Sequence, residues 1–454
     1  MTEAAQRGRL APALLADATW YGTLAAARDL GGRGVPITLA CDARLAPARW
    51  SRFVSSIVRC PSTKDAAGFL AWLHAFGDAH PGHVLYPTSD DTAWLIANHR
   101  EALAHKYRLY SPGPETFAKL LDKGRLLVEA RAAGLLTPET WLPESDAEVE
   151  RLSREIEFPV FVKPRTQVMA LGGRKGGRVY ERTALAKACR DYRLDEEQLR
   201  RLGPHMQQAG RPLVQALFPA RESIYTVDGF VDRKGEMVTL GCNKVLQRPR
   251  RVGPGIIFDH APVPPALAQG LRRLWLNTGF HGVFDVEFVV DGDRTMLIDL
   301  NPRFYNHMAL EIERGMPLPW LAYLGALGDE AALAEALRTA QAEGREDARV
   351  YVHRVPTYLM LALQRMVGNM SKEEVRTWRR WIADRADRVS DPVSIQGDRW
   401  PAVCDVLFHA VAFARHPRAF LRHLAKDERP PATESPAPRA ASAEPRGAPG
   451  ALRR

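Results

Sequence analysis

The sequence has few cysteines and no long apolar run. Its 454 residues include five cysteines, which are scattered, form no CxxC pair and have no histidine partner at zinc-like spacing. Nothing indicates a disulfide framework, so we interpret the thiols as reduced and the protein as cytoplasmic. No uninterrupted apolar stretch approaches the roughly 18–20 residues that span a bilayer, and the short apolar N-terminal stretch that ends at Asp17 is a poor signal peptide.

Runs of lysine and arginine interleaved with aromatic residues are also missing, although the net charge is +10. Such runs are typical of nucleic-acid interfaces, so we predict no nucleic-acid partner. An Arg-rich composition, with part of the excess serving an anionic small molecule, accounts for the charge. The first βα turn lacks GxGxxG, and no Ser/His/Asp or Cys/His arrangement indicates a covalent nucleophile.

The strand and helix patterns divide the chain into four parts. Residues 1–114 alternate short apolar strands with helices, which predicts a parallel, doubly wound α/β sheet. Residues 115–328 change to a mixed pattern of strands, helices and a glycine-rich segment. Residues 329–427 are predicted to be mostly helical. The tail at 428–454 is rich in Pro, Ala and Ser and is predicted to be disordered.

The stretch MLIDLNPRF carries Asp299, Asn301 and Arg303 at alternate positions, which share one face of an extended strand. An Asp-Gly turn joins this strand to the preceding one, and the hairpin would place Glu287 nearly opposite Asp299. Two carboxylates and an amide oxygen suit Mg²⁺, whereas zinc would want His or Cys. Salt-bridged carboxylates on a solvated sheet face are the alternative, and the hairpin alone does not decide between them.

Two upstream segments carry further signals. Lys163 ends an apolar strand, where an ammonium group is costly unless it meets an anion. The following ALGGRKGGRVY has backbone N–H groups that can close over phosphates, although a simple turn is the alternative. In LVQALFPARE, backbone groups near Gln215 and Phe218 can read an adenine edge, and Glu222 can accept bonds from ribose hydroxyls. An edge strand with a bend is the other interpretation.

Taken in order, these features resemble the ATP-grasp superfamily over roughly residues 115–328, and the preceding unit resembles its pre-ATP-grasp domain. HVLYPTSDDTAWLIANHREAL, LLDKGRLL, VLQRPRRVGPG and LIDLNPRFYNHMALEIERGMPLP are similar to the stand-alone carboxylate–amine ligase branch, which includes peptidoglycan D-aspartate ligases, and to carbamoyl-phosphate-synthase-like proteins. The resemblance implies an α/β fold: a doubly wound domain, a two-lobed α+β ATP-grasp domain with lobes at about 115–214 and 215–328, and a C-terminal helical region.

The resemblance also implies roles for individual residues, and Leu171 to Gly177 would be the flexible loop over the phosphates. The implied nucleotide contacts are Lys123, Lys163, Gly172, Gly173, Gly176, Gln215, Leu217, Phe218 and Glu222. The implied magnesium ligands are Glu287, Asp299 and Asn301. The implied catalytic contacts to the transferred phosphoryl group are Arg303, Lys163 and Lys244. Two positions depart from the family pattern, since the hinge reads Gln215-Ala216 and the middle metal position is Asp299 rather than the more usual Glu.

The implied activity is ligation driven by ATP. Phosphoryl transfer to a substrate carboxylate gives an acylphosphate, and an amine then attacks it to give an amide, with ADP and phosphate released. ATP and Mg²⁺, or Mn²⁺ in its place, are the implied cofactors, and a small carboxylate and an amine are the substrates. Two alternatives stay open: a nucleotide-binding regulatory or partner-docking module without turnover, and an ATP-grasp ligase that uses a thiol or bicarbonate. The sequence identifies neither substrate and leaves a homodimer open.

Three segments have competing interpretations. Asp90 or Asp91 can touch substrate, but with Ser89 they also fit a capped helix N-terminus, which we favour. Tyr305 is predicted to be a packed loop residue, with His307 at the substrate pocket. AVCDVLFHAVAFARHPRAFLRHLAK is predicted to be an amphipathic helix packed on the domain, with contact to a membrane surface as the less favoured alternative.

Overall fold

The computed structural model describes residues 10–169, 176–217, 223–247, 253–343 and 348–425. The predicted tail at 428–454 lies outside these residues. Within them, no helix combines the length and the apolar character that a bilayer crossing requires. The mixture of parallel and antiparallel sheets with helices confirms the predicted α/β class.

The first sheet is parallel throughout. Its strands are β1 (Ala13–Leu15), β2 (Ile37–Ala40), β3 (Ser56–Val58), β4 (Val84–Leu85) and β5 (Arg108–Leu109). Their order across the sheet is β3-β2-β1-β4-β5. Its helices are α1 (Tyr21–Gly32), α2 (Ala66–Ala79), α3 (Asp90–Asn98) and α4 (Arg100–Ala104), with a 3₁₀ helix at Pro47–Trp50. The central strands β1 and β2 are buried along their whole length, because helices cover both faces of the sheet.

The second sheet has four antiparallel strands. They are β6 (Thr140–Trp141), β7 (Val160–Lys163), β8 (Gly177–Val179) and β9 (Leu213–Ala216), in the order β6-β9-β7-β8. The helices of this stretch are α5 (Pro114–Leu121), α6 (Lys123–Ala132), α7 (Asp146–Glu155), α8 (Arg182–Asp191) and α9 (Glu196–Leu202), followed by a 3₁₀ helix at Pro204–Gly210. Helices α7 and α8 pack together over Val160, Val162 and Val214, so one face of this sheet is apolar core.

The third sheet has seven strands and carries most of the polar residues discussed below. They are β10 (Ser223–Val231), β11 (Met237–Gln247), β12 (Gly255–Ala261), β13 (Gly282–Asp291), β14 (Arg294–Asn301), β15 (Val350–Val352) and β16 (Val389–Ser390), in the order β14-β13-β10-β11-β12-β15-β16. One face is apolar and packs on α6 and on α10 (Pro265–Thr278) through residues such as Val286 and Phe288. Alternate residues point to the opposite face.

The C-terminal part of the chain is largely helical, as predicted, but it also adds two strands to this sheet. The remaining helices are α11 (Met308–Glu313), α12 (Leu318–Leu327), α13 (Glu330–Glu343), α14 (Arg354–Met366), α15 (Lys372–Ala383), α16 (Trp400–Arg415) and α17 (Pro417–Ala425), with a 3₁₀ helix at Ala386–Arg388. Between them, β15 pairs with β12, and β16 runs parallel to β15. The strands are three and two residues long, too short for a readable two-residue alternation.

Candidate active site

The hairpin predicted from MLIDLNPRF is present. In the register of β13 and β14, Glu287 lies directly opposite Asp299, and Asp285 lies opposite Asn301. One extra residue, Ile298, interrupts the register next to Asp299. This bulge keeps the flanking Leu297 and Leu300 in the apolar core while the acids point to the polar face of the sheet. The predicted pairing of Glu287 with Asp299 is therefore confirmed.

Three lysines from different elements lie near these acids, and two of them form ion pairs with the acids. Lys244 on β11 donates to Glu287, with Nζ 2.6 Å from Oε1. Lys123 begins α6, whose N-cap is Asp122, and its ammonium forms an ion pair with Asp299. Lys163 ends β7 and donates to the Ile298 carbonyl oxygen at 3.0 Å. In a regular strand pair this carbonyl would bond to the neighbouring strand, whereas the bulge makes it available to the lysine.

The charges of this cluster strongly shift its pKa values. Burial is the largest influence on Lys163, and with the neighbouring Lys123 it lowers the pKa of that ammonium to about 8. Burial acts against the charge of Asp299 as well, but the two lysines outweigh it and lower the pKa to about 2. Burial likewise opposes the charge of Lys244, yet Glu287 outweighs it and raises the pKa. The site therefore holds charged acids and contains an ammonium that an added anion would stabilise.

Arg303 links the hairpin to the first sheet. Its Nε donates to Asp90 at 2.7 Å, and its Nη2 donates to the Asn301 side-chain oxygen at 2.8 Å. Asn301 in turn donates its amide N–H to Asp285 at 3.0 Å. These bonds fix the Asn301 amide so that its oxygen is on the Arg303 side and its nitrogen on the Asp285 side.

The turn before α3 is a capped helix start, and its acids also make longer-range contacts. Ser89 caps the helix with a capping box to Thr92, as we favoured. Asp90 meets Arg303, and Asp91 accepts from the Met169 backbone N–H at 2.6 Å. Burial, ahead of the effect of neighbouring acids, raises the pKa of Asp91 to about 6. Met169 has a φ of 54° and is the last residue described before the glycine-rich segment.

A second group of acids, which we did not predict, lies deeper on the same sheet face. Asp228 on β10 is directly opposite Asp285 in the register of the two strands, and both residues are buried. Burial is the main cause that raises the pKa of both. Asp228 also accepts from Thr226 at 2.9 Å and pairs with His307 at 3.0 Å.

Glu311 completes this deeper group. It is fully buried on α11, 3.6 Å from the Cys242 sulfur, and burial followed by Asp228 raises its pKa to about 7. The sequence carries a signal for Asp285, because FDVEF places it two residues before Glu287 and so on the same face. Asp228 and Glu311 show no comparable signal, since strand register and the fold of α11 bring them in. Tyr305 is packed, as predicted, at 2% exposure.

The remaining predicted nucleotide contacts lie on the four-stranded sheet or outside the described residues. Gln215 is on β9, opposite Phe161, and its amide donates to Thr140 Oγ1 at 3.0 Å. Leu217 follows that strand. Gly176 has a φ of 130° and lies against Lys163 so closely that a Cβ would fall 2.8 Å from the lysine Cβ. The predicted contacts Gly172, Gly173, Phe218 and Glu222 lie outside the described residues.

The acid and amide donors on the hairpin fit a hard divalent cation. Glu287, Asp299 and Asn301 offer only oxygen ligands and share one face, and the described residues around them bring no thiol or imidazole into the set. Lys123 and Lys244 now pair with Asp299 and Glu287. A metal ion would compete with the lysines for the two acids, and nucleotide phosphates would compete with the acids for the two lysines.

The predicted resemblance to the ATP-grasp superfamily is confirmed by similarity to curated relatives and, for the fold, to solved structures. No protein-family model matches the chain. The carbamoyl phosphate synthase large chain of Methanospirillum hungatei is 23% identical over 240 residues, which are 52% of this chain and 22% of that protein. The same protein of Rubrobacter xylanophilus is 26% identical over 233 residues, 49% and 20% of the two chains. The match thus covers only about a fifth of these relatives' length.

Solved structures support the fold over a larger part of the chain. Biotin carboxylase from Campylobacter jejuni, in a β,γ-ATP complex, has a TM-score of 0.56 and 16% identity over 71% of this chain and 72% of its own. The biotin carboxylase domain dimer of Hydrogenobacter thermophilus 2-oxoglutarate carboxylase, with MgADP, ADP and bicarbonate, has a TM-score of 0.56 and 14% identity over 70% of each chain. N5-carboxyaminoimidazole synthetase of Staphylococcus aureus has a TM-score of 0.51 and 13% identity over 69% and 77%.

Proposed function

We propose that the protein is an ATP-dependent ligase that activates a substrate carboxylate as an acylphosphate and joins it to an amine. The observation that carries this proposal is the convergence of three lysines on the two acids of the hairpin, Glu287 and Asp299. The similarity to carbamoyl phosphate synthases and the nucleotide complexes among the structural neighbours support ATP as the phosphoryl donor.

The lysines are suited to bind phosphate. Lys163 is buried, and its lowered pKa reflects the lack of a sufficient counter-charge. Phosphate oxygens beside it would supply that charge and restore full protonation. Lys123 and Lys244 pair with Asp299 and Glu287, and they would turn from these acids to phosphate when a metal ion occupies the acids.

Glu287, Asp299 and Asn301 are the residues that would hold Mg²⁺. When bound, the ion would neutralise phosphate charge and help to align the reacting groups. Asp285 would keep the Asn301 oxygen turned toward the ion by accepting the amide N–H. The role of Mn²⁺ as a substitute follows from the same donor set.

Arg303 would stabilise the transferred group. Its guanidinium is oriented by Asp90 and Asn301, and its Nη1 donates to the Phe304 carbonyl at 2.8 Å. In the first step a carboxylate oxygen bonds to the γ-phosphorus as the bond to ADP breaks. In the second step the amine nitrogen bonds to the acyl carbon, the acyl C–O bond breaks, phosphate leaves with the electron pair, and the nitrogen gives a proton to solvent. The chain needs to supply position and charge for these steps rather than a nucleophile.

The test is a screen for ADP and phosphate release with amino acids and other small acids, paired with amines. Hydroxylamine included in each reaction would trap the acylphosphate as a hydroxamate even when the natural amine is missing. We expect at least one acid to give hydroxamate with stoichiometric ADP, and the Asp299→Asn variant to give neither. Asp291→Asn, at the turn end of the same hairpin, is the matched control and should keep full activity. Tight MgATP binding without ADP release for any acid would instead identify a nucleotide-binding module.

A further inference from the structure

Helix α16 exposes an apolar face to solvent. Its outward side chains are large and apolar, with Trp400 at 64% and Leu407 at 47% exposure. The exposed large apolar residues of α16 are Trp400, Val403, Val406, Leu407, Phe408 and Phe413. Between Asp405 and Arg415 the helix has no charged residue. A surface helix normally turns such a stripe toward the core, so this face, which we name the α16 outer face, requires a partner.

The opposite side of α16 is already fixed to the body of the protein. Asp405 is fully buried and accepts from the Tyr21 hydroxyl at 2.7 Å. It also pairs with His353 Nε2 at 3.0 Å, and His409 Nε2 lies 3.7 Å from its other oxygen. The bonds to α1 and to the end of β15 prevent the helix from rolling to bury its outer face. The exposure is therefore a consequence of specific polar contacts on the inner side.

The exposed charged residues of α16, α17 and the residue before α16 are all basic. In residues 399–425 there are four arginines, all of them exposed: Arg399, Arg415, Arg418 and Arg422. The same stretch contains one acid, the buried Asp405, so none of its negative charge reaches the surface. Helix α17 adds an exposed Leu421 next to Arg422. Apolar side chains bordered by arginines complement an anionic lipid surface.

Two exposed tryptophans lie in segments that contact the helix. Trp20 adjoins Tyr21, which contacts Asp405, and Trp50 ends the 3₁₀ helix on which α16 packs. Both are nearly half exposed, and Trp400 begins α16 itself. Tryptophan is the residue that most often lies at the boundary between headgroups and acyl chains, because its ring is apolar and its N–H is polar.

Two other occupants fit less well. Residues 426–454 contain no aromatic residue and a single leucine, Leu452, so their sequence offers little to cover this face. A second copy packed face to face would bring its four arginines against four identical ones without acids between them. An anionic partner avoids this repulsion. To cover the apolar outer face as well, that partner must combine a negatively charged surface with an apolar interior.

We propose that α16 and α17 form a peripheral membrane-binding surface for anionic lipid. The 16 residues of α16 are too short to span a bilayer, at about 24 Å, but they can lie in the plane of the interface. Arg and aromatic side chains at this surface would act together, so binding would depend on both the apolar face and the arginines.

The test is flotation of the full-length chain with two kinds of vesicle: phosphatidylcholine alone, and phosphatidylcholine with about one third phosphatidylglycerol. We expect binding to the anionic vesicles only, reduced by about 0.5 M NaCl because salt screens the arginines. The double variant Leu407→Ser/Phe413→Ser should lower the partition by about tenfold. Arg418→Ser/Arg422→Ser should lower it by about tenfold as well, and should weaken its dependence on salt.

Leu276→Ser is the matched control, because Leu276 on α10 is 54% exposed but lies outside α16 and α17. It should bind as the wild type does, and circular dichroism should show that each variant is folded. The proposal is overturned if the wild type stays with the unbound fraction on anionic vesicles, or if Leu407→Ser/Phe413→Ser binds undiminished. It is also overturned if the wild type sediments as a dimer that this double variant dissociates, since the outer face would then be an interface between copies.

Discussion

Four carboxyl groups on one face of the seven-stranded sheet and a fifth, on helix α11 beside it, divide into two sets. Glu287 and Asp299, on the hairpin, lie beside lysines, and the pKa of Asp299 is lowered to about 2. Asp228, Asp285 and Glu311 are buried deeper, and burial raises the pKa of each. The two sets thus have different environments: lysines stabilise the charged form of one, and burial favours the neutral form of the other.

We name Glu287 and Asp299, which pair with lysines, the charged set. We name Asp228, Asp285 and Glu311, whose neutral form is favoured by burial, the protonated set. The charged set faces Lys163 and Arg303 and would meet nucleotide. In the protonated set, Asp228 and Asp285 lie opposite each other on strands β10 and β13. Asp285 also accepts from Asn301, which is on the same strand as Asp299. Replacing each acid by its amide therefore distinguishes the sets, since an amide resembles a protonated acid and lacks the charge of an ionised one.

Glu287→Gln should have the largest effect. The variant removes a charge that Lys244 now neutralises and that would hold the divalent cation in the proposed function. We expect the rate of ADP formation to fall by about 10³-fold, because the phosphate charge would lose part of its neutralisation. Steady-state rates at saturating ATP measure this. A rate within tenfold of the wild type would contradict the assignment of Glu287 to the charged set.

Lys163→Met should come next. The methionine keeps the length of the side chain and removes the ammonium that donates to the Ile298 carbonyl. We expect a loss of about 10²-fold in kcat/KM for ATP, because the buried charge would no longer meet phosphate. The apo protein should not lose stability, since burial disfavours this charge in the absence of an anion. Thermal unfolding with and without MgATP separates these two effects; a large loss of Tm without nucleotide would mean that the ammonium is structural.

Asp285→Ala should lower activity by about 10- to 100-fold through Asn301. Without its acceptor the Asn301 amide is free to turn, and the ligand oxygen is no longer held. The apparent KM for Mg²⁺ should rise more than the KM for ATP, and excess Mg²⁺ should restore part of the rate. Asp285→Asn should retain more activity, because an amide oxygen can still accept the bond. Equal loss in both variants at all Mg²⁺ concentrations would argue for a packing defect.

Glu311→Gln should have the smallest effect on activity, within about threefold, because burial favours the neutral form of this acid and glutamine is a neutral side chain of the same size. Burial raises the pKa of Glu311 to about 7 from about 4.3 in an unfolded chain. The folded state therefore holds a proton that the unfolded state loses, and stability falls as pH rises through this range. We expect Glu311→Gln to raise the free energy of unfolding at pH 8 by about 1–3 kcal/mol and to leave it nearly unchanged at pH 5. Denaturant titrations at the two pH values measure the difference, and a destabilised variant at pH 8 would contradict it.

The sequence predicts the charged set and misses most of the protonated one. Period-two alternation and an Asp-Gly turn were enough to place Glu287 opposite Asp299, because both signals are local. The bulge at Ile298, which gives Lys163 its acceptor, has no such local signal. Asp228 and Glu311 come from separate elements whose contact depends on sheet order and on the packing of α11, and these are properties of the whole fold.

The C-terminal part shows the same limit. Its helices can be predicted from their residue patterns. The strands at 350–352 and 389–390 are too short for such a pattern, and they form because the sheet offers an edge strand with which to pair. The inner contacts of α16 depend on Tyr21, nearly four hundred residues earlier in the chain, so the sequence could predict its amphipathic pattern but not which side would face solvent.

The attachment of β15 to β12 has a consequence for expression of shorter forms of the protein. A chain that stops near residue 328 would keep the lysine–acid cluster but would lose the strand that pairs with Ile257 and Phe258. It would also lose the cover that Met360 and Leu361 give to Leu246 and Ile257. The unpaired backbone groups of β12 would then recruit strands from other copies, and aggregates in the insoluble fraction, rather than an isolated catalytic core, should be the product.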